Sequence, residues 1–114
     1  MVMALTNKAS TKYALKRIKK LIENENNWAS GILNTGDGRY CLIGAAAQVC
    51  EGNAHLAYHG QTRLLTRVYN ALVAVAPAKY KAMYKPAHRV LYDFNDDERH
   101  AAVINLIDKA IERA

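Results

Sequence analysis

Three stretches of this chain carry apolar residues at the spacing of one helical face. Ala14, Leu15, Ile18, Leu21 and Ile22 recur at i, i+1, i+4, i+7 and i+8. Leu64, Leu65, Val68 and Leu72, with Val73 or Val75, form a second stripe, and Val103, Leu106, Ile107, Ala110 and Ile111 a third. Each stripe has to be buried against the others, so the chain is constrained to a helical bundle. Ser10 or Thr11 is placed to cap the first helix, starting near Lys12. It ends near Glu25–Asn27, where three Asn within four residues favour a turn. The second begins at Gln61 or Thr62 and stops at Pro77. Asn95 or Asp96 caps the last, with Asp96, Asp97 and Glu98 in its first turn, where negative charge suits the helix dipole.

The middle of the chain is read from its glycines. Asn34-Thr35-Gly36-Asp37-Gly38 is the strongest loop signal present. The segment after it, Tyr40 to Cys50, is apolar, rich in Ala and closed by Gly52, which predicts a buried helix; a short strand at Arg39–Ile43 competes with that reading. Ala78 to Tyr84 is placed as a short basic helix before Pro86, and Arg89 to Phe94 as an aromatic-rich connector with extended character. The expected fold is all-α, a compact single-domain bundle of four to five helices over residues 1–114. A Gly-rich loop packs beside Trp28, a short extended segment accompanies it, and residues 1–9 fray. A chain of 114 residues can bury roughly two-thirds of its unfolded surface without disulfide or metal. The longest apolar runs, Cys41 to Ala47 and Ala71 to Ala76, fall far short of the roughly 20 residues that span a bilayer. No basic region precedes an apolar stretch at the start, so no secretory signal is expected. These features predict a soluble, intracellular protein with no membrane partner.

The net charge of +6 is unevenly spread. Residues 1–30 carry six bases and two acids; residues 79–92 carry Lys79, Lys81, Lys85 and Arg89 and no acid; the last stretch is acidic. Two basic blocks point to an anionic partner. In the first, Lys12, Lys16, Lys19 and Lys20, with Arg17, fall mostly away from the apolar stripe and could track a phosphate backbone. In the second, Tyr80, Tyr84 and Tyr92 stand among the bases, as in many nucleic-acid footprints. A solvated surface is the plain alternative. No helix-turn-helix signature accompanies either block, which disfavours sequence-specific reading of DNA. The two cysteines, Cys41 and Cys50, lie on opposite faces of a helix and about 13 Å apart along it, too far for a disulfide. Both are expected as free thiols in a reducing compartment.

Three blocks carry a resemblance. Trp28-Ala-Ser-Gly31, then Gly38-Arg39-Tyr40-Cys41-Leu42-Ile43-Gly44-Ala45, then Phe94-Asn95-Asp96 resemble the W-x-x-G, G-x-x-C-L-x-G-A and W-N-D blocks of a family of small uncharacterised proteins from bacteriophages and actinobacteria. Order and spacing match over residues 12–112, with Phe94 where that family tends to have Trp. The family has no activity to transfer. The resemblance implies a phage or bacterial setting, in the cytoplasm of the host cell, and a host-interaction or counter-defence factor.

Each candidate site stands beside a structural reading. Cys41, in the first turn of its helix and next to Arg39, has the placement of a nucleophile activated by a helix N-terminus, with His55, His59, His88 or His100 as base. Otherwise it is a small thiol packed under Trp28, with Gly44 allowing close helix contact. Asn95 and Asp96 are helix caps, or Asp96 orients a His or Arg39 in a pocket floored by Trp28. The loop through Gly38 and Arg39 could present N–H groups to a phosphate, but it lacks the Lys and Ser/Thr of a P-loop. His55 and His59 stand at i, i+4 without a third ligand, so neither a metal nor a cofactor is expected. The leading expectation is a non-enzymatic binding protein for nucleic acid, a nucleotide or an acidic surface on a host protein. It would act through Lys12–Lys20 and Lys79–Arg89. The rivals are a Cys41-dependent enzyme and a protein inhibitor of a host enzyme acting as a homodimer, its acidic last helix against a basic block.

Overall fold

The computed structural model describes residues 7–58, 62–81 and 85–114. Among them the chain forms six helices: α1 (Asn7–Ile22), α2 (Leu42–Glu51), α3 (Arg63–Ala74), α4 (Ala78–Lys81), α5 (Ala87–Asp97) and α6 (His100–Arg113). Two 3₁₀ turns, Glu25–Asn27 and Ala54–Ala57, punctuate the first half. No strand forms among the described residues; Tyr40 makes isolated bridges to Trp28 and Asn34. No described helix is long and apolar enough to cross a membrane.

The centre of the bundle is α2, which packs against α1, α3, α5 and the Ala54–Ala57 turn. Leu42 to Ala47 are all buried, as expected of a helix that is apolar on every side. Its small residues let neighbours approach. Gly44 takes the closest contact: a Cβ there would lie 2.0 Å from the Leu33 carbonyl oxygen. Gly52 ends α2 at φ 74°, its N–H bonded to the Gln48 carbonyl. The outer helices bury the stripes read from the sequence: Ala14, Leu15, Ile18 and Ile22 from α1, Leu65, Val68 and Leu72 from α3, and Val103, Leu106, Ile107 and Ala110 from α6. Thr62, where the helix was expected to begin, instead caps α3, its hydroxyl accepting the Leu65 N–H at 3.2 Å.

Several boundaries differ from the sequence reading, among them the end of the first helix, at Ile22 and not near Glu25–Asn27. The first helix is already formed at Asn7, so residues 7–9 are not frayed and neither Ser10 nor Thr11 caps it. The Thr11 hydroxyl donates back to the Asn7 carbonyl at 2.7 Å, one turn earlier, and the residue is buried. The larger difference is at Arg89–Phe94, which is helix, not connector. After Pro86 the helix α5 runs to Asp97 and buries Val90, Leu91, Phe94 and Asn95. These recur at i, i+1, i+4 and i+5, a helical stripe too short to stand out. Asn95 and Asp96 therefore occupy the last turn of α5, and the final helix starts after Arg99 with no side-chain cap. The short basic helix after Pro77 is confined to Ala78–Lys81 in the described residues; its expected continuation to Tyr84 lies outside them.

A Gly44→Ala substitution drives a methyl group into the Leu33 backbone, which cannot move without displacing the loop before α2. We expect a loss of about 3 kcal/mol or more, read as the urea midpoint of unfolding followed by circular dichroism.

Candidate functional site

The three sequence blocks meet at one buried side chain. Asn95, with no exposed surface, accepts the Trp28 indole N–H at 2.7 Å and the Leu42 backbone N–H at 3.0 Å through Oδ1. Its Nδ2 donates to the Ala29 carbonyl at 3.0 Å. Indole and backbone N–H groups only donate and a carbonyl only accepts, so the amide has one orientation. Beside it Asp96 Oδ1 accepts the Gly31 N–H at 2.8 Å and the Ser30 hydroxyl at 3.3 Å. Gly31 presents that N–H from φ 78°, a conformation that suits glycine. The end of α5 is thereby fastened to the Trp28 segment and to the start of α2. Trp28 in turn lies 5.6 Å from the ring of His100, whose Nε2–H donates to the Ile22 carbonyl at the end of α1.

Cys41, expected in the first turn of α2, is instead its N-cap, one residue before that turn, and its sulfur accepts the Gly44 N–H at 3.3 Å. The residue has no exposed surface. Burial pushes its thiol up from the ordinary 9.0 to about 11, against the smaller pull of the Gly44 and Ile43 N–H groups. A nucleophile needs the opposite shift. Burial raises Cys50 to about 11 as well, and both thiols are free.

The Gly-rich loop spends its donors on itself. Gly36 N–H bonds to the Asn34 side chain at 2.9 Å, Thr35 N–H to the Arg39 carbonyl at 3.0 Å and Arg39 N–H to the Thr35 hydroxyl at 3.3 Å. Asp37 is held below its ordinary range by the Thr35 hydroxyl and then by Arg39, its ion-pair partner at 3.5 Å. Gly38 sits at φ 97° in the same turn. The first amides of α2 are taken too, Leu42 by Asn95 and Gly44 by Cys41. Arg39 thus pairs inside its own loop rather than with Asp96. His55 Nε2 accepts from the Asn34 amide at 3.3 Å. Among the described residues no His, Cys, Asp and Glu cluster could hold a metal; His59 lies outside them.

The two basic blocks have different surroundings. Lys85 and Arg89 share Asp93, at 2.8 and 3.4 Å, and Lys79 lies 3.6 Å from Glu98. They border a cleft of about 490 Å³ that is also lined by Asp93, Asp96 and Asp97, so cations and carboxylates balance there. Tyr80 is buried and donates to Glu98; Tyr84 is outside the described residues. Glu98, expected in the acidic last helix, pairs with Lys79 within the chain. On α1 only Lys19 is paired, with Asp108 at 2.8 Å. Among the described residues Lys8, Lys12, Lys16, Arg17 and Lys20 form no ion pair. Beside them the exposed Tyr13 carries the Arg17 guanidinium 5.9 Å from its ring centre.

A family of unknown function, DUF6197, matches residues 7–113. The chain belongs to this family. No curated protein and no solved structure matches it.

In this DUF6197 member the three blocks have structural work to do. Trp28, Gly31, Cys41, Leu42, Gly44, Asn95 and Asp96 form the joint between α2 and α5. The candidate surface lies elsewhere, and part of it escaped the sequence reading. A groove of about 400 Å³ between α1 and α2 is lined by Arg17, Lys20, Leu21, Tyr40, Gln48 and Val49. Gln48 sits within a helical stretch, and only the packing of α1 on α2 shows what it borders.

Asn95→Ala leaves the Leu42 N–H and the Ala29 carbonyl without partners, which we expect to cost about 3 kcal/mol or more, measured by urea unfolding followed at Trp28. The thiols give a second expectation. Their folded values lie above their unfolded ones, so the stability they support is complete below pH 9 and declines as pH rises from 9.0 towards 11. Cys41 alone contributes a fall of roughly 2–3 kcal/mol over that window. The buried Tyr69 phenol, which burial also raises, acts in the same direction. Unfolding curves at both ends of the window measure this. Native Cys41 is expected to resist iodoacetamide at neutral pH and to react on unfolding.

Proposed function

We propose that this chain is a non-enzymatic binding protein that takes an anionic partner on the outward face of α1. The phage or bacterial setting implied by its sequence blocks makes a host-interaction or counter-defence role the context for that binding. The observation that carries the reading is the contrast between the two basic blocks. Lys79, Lys85 and Arg89 are matched by carboxylates of their own chain. Lys12, Lys16 and Lys20 stand four residues apart, about 6 Å per step along the axis. They form no ion pair among the described residues. A row of like charges on one helix face repels itself, and an external polyanion relieves that repulsion.

The enzyme reading has less support. Its nucleophile is a buried, protonated thiol, and the helix start that would activate it gives its N–H groups to Asn95 and Cys41.

Binding through lysine–phosphate contacts must weaken with salt. For a fluorescent thymidine oligonucleotide we expect affinity to fall steeply between about 50 and 200 mM salt, and the combined Lys12→Gln, Lys16→Gln and Lys20→Gln variant to flatten the log–log slope by roughly 2. Fluorescence anisotropy measures both, with Lys109→Gln on α6 as the control expected to leave the slope unchanged. A salt-independent affinity would remove the electrostatic account.

A further inference from the structure

We infer that the α1–α2 groove accepts a base of a single-stranded nucleic acid whose phosphates follow the α1 cations. This rests on the anionic-partner reading and names the partner within it. Three features of the groove carry it. Its lining has two parts: Leu21, Val49 and the Tyr40 ring supply apolar and aromatic surface, and the Gln48 amide supplies a donor and an acceptor. That is the chemistry of a flat heteroaromatic ring with polar edges. Its volume of about 400 Å³ is in the range of small-ligand sites and well above what a side-chain ammonium or carboxylate needs. Arg17 and Lys20 border it and no carboxylate lines it among the described residues, so a phosphate attached to the bound ring meets cations there.

Tyr13 extends this surface. It is 59% exposed, one turn before Arg17 on the same side of α1, and two turns before Lys20. An aromatic residue left in water among unpaired cations costs burial that the core could have used. As a stacking platform for the next base it matches the way single strands are held. The distance from Lys20 back to Tyr13 is about 10 Å along the axis, a span that a flexible strand covers in a few nucleotides. A duplex cannot use either feature, because its bases are already paired and stacked.

Two other clefts among the described residues lack this combination. The α4–α5 cleft has as many carboxylates as cations on its walls. The cleft between α1, α3 and α6 is cationic, through Lys8, Arg67 and Arg113, but among the described residues no aromatic ring lines it. An acidic peptide would satisfy the α1 lysines and leave the groove empty.

The test compares four probes by anisotropy at one salt concentration: an oligothymidine strand, an abasic strand of equal length, the duplex of the first with its complement, and polyglutamate. We expect the oligothymidine to bind at least about tenfold more tightly than the abasic strand. Gln48→Trp, which fills the groove, and Gln48→Ala, which cannot overfill it, should each erase most of that excess while leaving the salt slope intact. Tyr13→Ala, at an exposed position, should reduce the excess without changing the folded circular dichroism spectrum. Equal affinity for the abasic and base-bearing strands, with a normal salt slope, overturns the groove and leaves the anionic-partner reading standing. Preference for the duplex or for polyglutamate overturns it in favour of that partner. Failure to bind all four overturns both readings.

Discussion

The buried side-chain amide of Asn95 faces a choice between losing its hydrogen bonds to water and finding three partners in the interior. It finds them in Trp28, Leu42 and Ala29. These belong to separate parts of the chain from α5, so the amide is satisfied only when all of them are in place. Fully satisfied buried polar groups specify a single arrangement, because alternatives leave a donor or acceptor unpaired. Apolar stripes alone would tolerate several packings of six helices. The amide, with the Asp96 carboxylate holding Gly31 beside it, selects one.

The start of α2 obeys that constraint. Its free amides would ordinarily attract an anion. Here they meet the Asn95 carbonyl and the Cys41 sulfur, both uncharged, in surroundings from which water is excluded. The helix dipole is answered by neutral acceptors, and the thiol stays protonated because burial opposes its charge more strongly than two N–H groups favour it. The joint that looks most like a reactive centre in the sequence is thus electrically quiet.

At the surface, identical residue types end in different states. Lys79 and Lys85 near α5 have Glu98 and Asp93 within reach and are neutralised locally, though Lys81 is not among the described residues' ion pairs. Most lysines on α1 have no such neighbours among the described residues, and Lys19 is the exception because α6 brings Asp108 alongside. A cation paired in high dielectric contributes little to stability, and an unpaired one even less, so the α1 row is not explained by folding. That row and the groove beside it are where an external anion has most to gain.

The helical class, the start of α3 close to Thr62 and the buried character of α2 were legible in the chain itself. They depend on local rules: apolar spacing at helical period, and alanines enclosed by glycines. Local rules failed at α5, where the stripe Val90, Leu91, Phe94 is short and Asn95 looks like a cap for the final helix. A buried asparagine and a capping asparagine have the same letter, and only the positions of Trp28 and Leu42 decide between them. Charge behaved likewise. The sequence determined how many cations the protein carries and that two groups of them exist; the packing of α5 and α6 decided which of them meet carboxylates, because attraction between charges falls with distance in space and not along the chain.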